Sequence, residues 1–168
     1  MGSRSKGQST ATKALACPGT MIATSLSPIS PGSAVEFRIL GPSTENRALG
    51  ESFARGVRDA GVITAEDGTL VLTISFLVIQ RPSGSPASTI LRSDFAWMKE
   101  LKAGGRVGTH QPTLMLTASL LKKGNVELMW VASVDCRITT LDAHQLAHDL
   151  GLQVAHHFGE SIVHQRLQ

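Results

Sequence analysis

Tyrosine is absent from this chain, and the other aromatics, five Phe and two Trp, are 4% of it. A platform that stacks single-stranded bases needs several rings, so this scarcity argues against one. Charged residues are sparse at 17%, too few for a coiled coil, and a hydrophobic share of 42% excludes a fully disordered chain. The only cysteines, Cys17 and Cys136, lie far apart in sequence. Two isolated cysteines make no metal site, and their spacing leaves a disulfide open but unsupported. No apolar run is long enough to span a bilayer. There is no Gly-x-Ser-x-Gly elbow and no phosphate-binding glycine loop. The glycine-rich Gly104-Gly105-Arg106-Val107-Gly108 joins no strand to a helix and reads as a loop. No catalytic residue can be named, and no cofactor is implied.

The net charge of +3 is mild, and Arg4, Lys6 and Lys13 precede the first acid, Glu36. The remainder is closer to neutral, which weakens any case for a nucleic-acid groove. Residues 1–33 are rich in Ser, Thr, Gly and Pro and show no periodicity, so they read as a disordered arm or a weak targeting segment. Ala14-Leu15-Ala16-Cys17 faintly matches a bacterial lipoprotein box, which would make Cys17 a membrane anchor.

Residues 34–167 read as a single α/β domain with an insertion at 81–112. Val35 to Leu40 alternates as a half-buried strand. Ser43 or Thr44 then caps a helix to about Ala60, striped by Leu49, Phe53 and Val57 and stopped by Gly61. Thr69 to Gln80 is the second strand. The insertion supports two readings, a short helix from Ser93 through Lys102 or an edge strand from Thr89 to Met98. So long a connection in a compact domain is often functional.

Thr113 to Leu121 and Val126 to Ile138 form a hairpin. A three-residue loop, Lys123 to Asn125, pairs Leu120 with Leu128 and Ala118 with Trp130, keeping both apolar sets on one face. The closing helix starts near Leu141, capped by Thr140, with Leu146, Leu150, Val154, Phe158 and Ile162 four apart. The expected fold class is α+β. It is a two-layer sandwich of order β-α-β-β-β-α, with two helices on one face of a four-stranded, mainly antiparallel sheet.

His144 and His148, four apart on that helix, have a spacing that can hold a transition metal. No third ligand converges on them, so no metal site is assigned and they read as boundary histidines. Asp135 and Arg137 read as the solvated end of a strand. The face away from the helices carries Leu77, Ile79, Met115, Leu121, Met129 and Val131. Left uncovered, these form an apolar patch larger than a soluble monomer normally exposes. The competing reading folds Phe95, Trp97, Met98 and Leu101 of the insertion back over it. The expected partner-binding set is therefore Leu77, Ile79, Phe95, Trp97, Met98, Met115, Leu121, Met129 and Val131.

The stretches TLVLTISFLVIQ, TLMLTASLLKKGNVELMWVASVDCRI and LDAHQLAHDLGLQVAHHFGESIV, in that order, resemble the small α/β domains of bacterial envelope lipoproteins. The resemblance is to the auxiliary lipoprotein component of lipid-transport ABC systems and related two-layer periplasmic domains. It implies a non-enzymatic accessory or assembly protein of the periplasm or outer membrane. Such a protein would bind an envelope protein complex or acyl chains through the open sheet face and the insertion. The alternative readings are a cytoplasmic RNA- or ribosome-associated α/β module, which predicts salt-sensitive binding, and an enzyme using the helix histidines and a metal.

Overall fold

The computed structural model describes residues 17–40, 44–80, 90–92, 112–140 and 142–167. In chain order the elements are β1 (Gly19–Ser25), β2 (Val35–Ile39), α1 (Thr44–Asp59), β3 (Leu70–Gln80) and β4 (Ile90–Arg92). They continue with β5 (Thr113–Lys122), β6 (Leu128–Arg137), α2 (Ala143–His156) and β7 (Ile162–Arg166).

The expectation of a four-stranded, mainly antiparallel sheet is overturned. The strands form one seven-stranded mixed sheet of order β2-β3-β5-β6-β1-β7, with β4 on β3. β2 runs parallel to β3 and every other pair of strands is antiparallel. Three strands account for the difference. Gly19–Ser25, read as part of a non-globular arm, pairs with β6 along its whole length and buries Met21 and Ala23. Ile90–Arg92 of the insertion pairs with the end of β3. Ile162–Arg166, read as the last turn of a helix, pairs with β1.

Both described helices lie against one face. Leu70, Leu72, Ile74 and Val78 of β3, Leu114 to Leu120 at alternate positions of β5, and Trp130, Ala132 and Val134 of β6 are buried there. They pack with Leu49, Phe53 and Val57 of α1 and Leu146, Leu150 and Val154 of α2. Each large side chain buried this way stabilises by about 1.5–3 kcal/mol.

The helices cross at two glycines. A Cβ on Gly56 would lie 2.1 Å from the His148 carbonyl oxygen, and one on Gly151 would lie 2.2 Å from that of Phe53. Gly56 therefore serves the contact between helices. Gly50 is the glycine that faces the sheet, where its neighbour is the Ile39 side chain.

The helix α2 is capped by Asp142, whose carboxylate accepts the Gln145 N–H at 3.1 Å; the Thr140 hydroxyl accepts the Asp142 N–H one step earlier. It ends at His156, and Gly159 with φ 80° turns the chain away. Phe158 is thus outside the helix. Its ring packs on buried Trp130 at 5.3 Å, and the Trp130 indole N–H donates to the Glu160 carbonyl at 2.9 Å. That bond fixes the corner where α2 hands over to β7.

The hairpin register differs from the expected one by two residues. Leu120 pairs with Trp130 and Ala118 with Ala132. At the tip the Lys122 N–H donates to the Glu127 carbonyl, and Gly124 is left-handed at φ 89°. The ladder then shifts between Leu120 and Leu121, so β6 carries one extra residue, Met129. A bulge of this kind lets the tip close as it does while both apolar sets still meet the helices.

Candidate partner surface on the outer sheet face

Strand register lays out the face turned away from the helices in rows across the sheet. One row runs Leu77, Met115, Asp135, Thr20, and on its β4 side Ile79 and Thr113 lie beside Arg137. The next runs Ser75, Thr117, Ser133, Ile22. Another runs Thr73, Ser119, Val131, Thr24, followed by Val71 beside Leu121.

Leu77, Ile79, Leu121 and Val131 are half-buried on this face, and Met115 is 41% exposed. They do not merge. Thr73, Ser75, Thr117, Ser119, Ser133 and Thr24 form a hydroxyl band between the Leu77–Ile79–Met115 end and the Val71–Leu121–Val131 end. The single large patch expected from sequence is two smaller ones. Met129 leaves the set altogether: at the bulge it turns inward, 9% exposed, and joins the core, while its carbonyl accepts the Leu26 and Ser27 N–H groups. Phe95, Trp97, Met98 and Leu101 lie outside the described residues. Ile22, 39% exposed, belongs to this face and was missed with its strand; the alternation of Met21 and Ala23 about it was the available signal.

The β2 side of the face carries a carboxylate between two cations. Glu36 accepts from Lys123 Nζ at 2.8 Å and from Arg38, and these cations, Lys123 foremost, hold its carboxyl below the ordinary carboxylate value.

Cys17 and Cys136 form a disulfide that ties the segment leading into β1 to β6. Both are buried. A sulfur bonded in this way cannot carry a lipid, which removes Cys17 as the anchor the sequence suggested.

The helix histidines do not converge. His144 Nδ1 lies 2.8 Å from the Ser52 hydroxyl, while His148 Nε2 lies 2.7 Å from Asp59 Oδ2, each reaching to α1. Further on, His157 contacts Glu160. Among the described residues no group of three or more His, Cys, Asp or Glu could hold a metal ion. A cavity of about 430 Å³ opens beside β2, lined by Val35, Phe37, Ala54, Glu51, Arg58 and Glu66 among others.

No known protein-family profile and no curated protein matches the chain. Solved structures do match in shape. A PDZ domain protein from Parabacteroides distasonis superposes with a TM-score of 0.51 at 10% identity, over 89% of this chain and 37% of that one. PelC dodecamers from Paraburkholderia phytofirmans in two crystal forms give TM-scores of 0.46 and 0.47 at 16% and 15% identity, over 82% of this chain and 95% of theirs. At such identities the likeness concerns the course of the backbone alone.

Proposed function

We propose that this chain is a non-enzymatic accessory protein of the bacterial cell envelope, holding a protein partner against the Leu77–Ile79–Met115 end of its outer sheet face. The observation that carries the compartment is the Cys17–Cys136 disulfide, because such bonds persist in oxidising compartments such as the periplasm and are rare in the cytosol. The sequence resemblance to envelope lipoprotein domains points the same way. The partner surface rests on Met115, which stays 41% exposed in the middle of a sheet face.

A protein fits this surface better than an acyl chain. The apolar end is flat and bordered by hydroxyls, Asp135 and Arg137, the arrangement of an apolar centre with a polar rim. Lipid tails favour enclosed apolar cavities instead. The RNA alternative gains nothing here, since Glu36 and Asp135 share the face with Arg38 and Arg137 and no basic stripe forms among the described residues.

The test is co-purification from envelope fractions of wild type and a Leu77→Asp/Met115→Asp variant, with circular dichroism confirming the fold. The variant is expected to lose its partner. A folded variant that retains every partner refutes the surface.

A further inference from the structure

The sheet has two unlike edges, and they complement one another. At the β2 edge, Leu70 N–H donates to the Ala34 carbonyl and Leu40 N–H to the Ile74 carbonyl, so even-numbered residues turn their backbone groups toward β3. Odd-numbered ones turn outward. Those of Val35 are taken by Ile63 and Ala65, a short parallel bridge. The outward groups of Phe37 and Ile39, further along, have no such partner among the described residues. The cavity beside β2 opens on this stretch, with Val35, Phe37 and Ala54 for apolar lining and the carboxylates Glu51 and Glu66 against one cation, Arg58, while Glu36 is already held by Lys123 and Arg38. Ile63, whose carbonyl accepts the Val35 N–H, and Leu40, the residue after β2, stand exposed.

At the other edge, β7 pairs only with β1 among the described residues. Leu167 N–H donates to the Gly19 carbonyl, so Arg166 turns its own N–H and C=O outward. Every side chain from Val163 to Arg166 is exposed, Val163 at 81%. The strand Ile162–Arg166 carries no acid, and contributes Arg166 and His164. An exposed apolar edge strand is a template for pairing with another chain.

Following the pairings across the sheet, β2 and β7 run in the same direction. A rotation that carries one copy onto the next therefore meets β7 with β2 in parallel, as β2 already meets β3, and keeps α1 and α2 of every copy on one side of a continuous sheet.

We propose that β7 of one copy adds to the open edge of β2 in a second copy, head to tail. The contact is heterologous, so it builds a ring or an open chain rather than a two-fold dimer. The acidic cavity wall receives the acid-free strand, and Val163 meets the apolar groups flanking that wall.

The test is native mass spectrometry and light scattering on the full oxidised chain. Arg166→Pro removes an outward N–H but no bond to β1, a change an edge strand tolerates. Wild type is expected to form species larger than a dimer. Arg166→Pro is expected to weaken assembly by about tenfold or more at unchanged thermal stability. Glu51→Lys/Glu66→Lys should weaken it too, at a helix and turn remote from β7. A strictly monomeric wild type, or assembly that neither variant reduces, overturns the proposal. Either result leaves the outer-face partner reading intact, because Leu77 and Met115 lie on neither edge.

Discussion

Replacing Gly151 with alanine places a methyl group 2.2 Å from the Phe53 carbonyl oxygen, 3.0 Å from its carbon and 3.2 Å from the Val57 nitrogen. All three are backbone atoms of α1, so no side chain can swing aside. Relief requires α1 to retreat by about 1 Å, a gap that forfeits a quarter to a half of the dispersion energy of each contact it opens. Leu49, Phe53 and Val57 all lose contact with α2 together. Overpacking of this kind costs about 1–3 kcal/mol, whereas helix propensity alone favours alanine over glycine by about 1 kcal/mol. The expected net result is destabilisation. Gly56→Ala meets the His148 carbonyl at 2.1 Å and should behave alike. The same retreat relieves both, so the double variant should cost less than the sum of the singles. Gly50→Ala is the control: its new methyl meets only the tip of the Ile39 side chain at 2.8 Å, and it should be neutral or stabilising. Urea denaturation with an unchanged slope reads all four. A Gly151→Ala variant more stable by the propensity difference would refute the close helix crossing.

Removing the disulfide by Cys17→Ser/Cys136→Ser should cost about 2–5 kcal/mol, since it closes a loop of 119 residues, and thermal unfolding under oxidising conditions will show it. Trp130→Phe deletes the indole bond to the Glu160 carbonyl and should destabilise by about 1–3 kcal/mol, with a changed near-ultraviolet dichroism spectrum. Because the Glu36 carboxyl is lowered from its ordinary value of 4.5, its contribution is present above that pH and fades as pH falls through the lower folded value. Wild type should therefore lose stability relative to Glu36→Gln on acidification below about pH 4.5, and parallel denaturation series should converge there.

The parts legible in the sequence are those whose burial is regular. Strand β5 alternates regularly, β3 does so from Leu72 onward, and α1 repeats apolar residues at helical spacing up to Gly61, whose φ of 98° ends it. The parts missed depend on distant partners. Gly19–Ser25 has a weak pattern among Ser, Thr and Pro, and only its pairing with β6 and the disulfide make it a strand. Phe158 and Ile162 continue the helical spacing of α2, so the end of that helix was invisible to periodicity. Gly159 followed by the β-branched pair Ile162-Val163 was the local signal against it. Met129 was misplaced because a bulge changes which face a residue takes, and nothing in the local sequence marks one. The candidate surface was correspondingly half legible: Leu77, Ile79, Met115, Leu121 and Val131 share the outer face, but the hydroxyl band that divides them follows from register alone.

The most direct test of the partner surface is photo-crosslinking in intact cells from a benzophenone amino acid placed at Met115, compared with the exposed helix position Arg47. A discrete protein adduct is expected from position 115 and none of that mass from position 47. Adducts of equal mass and yield from both positions, or none from 115, would contradict the partner surface.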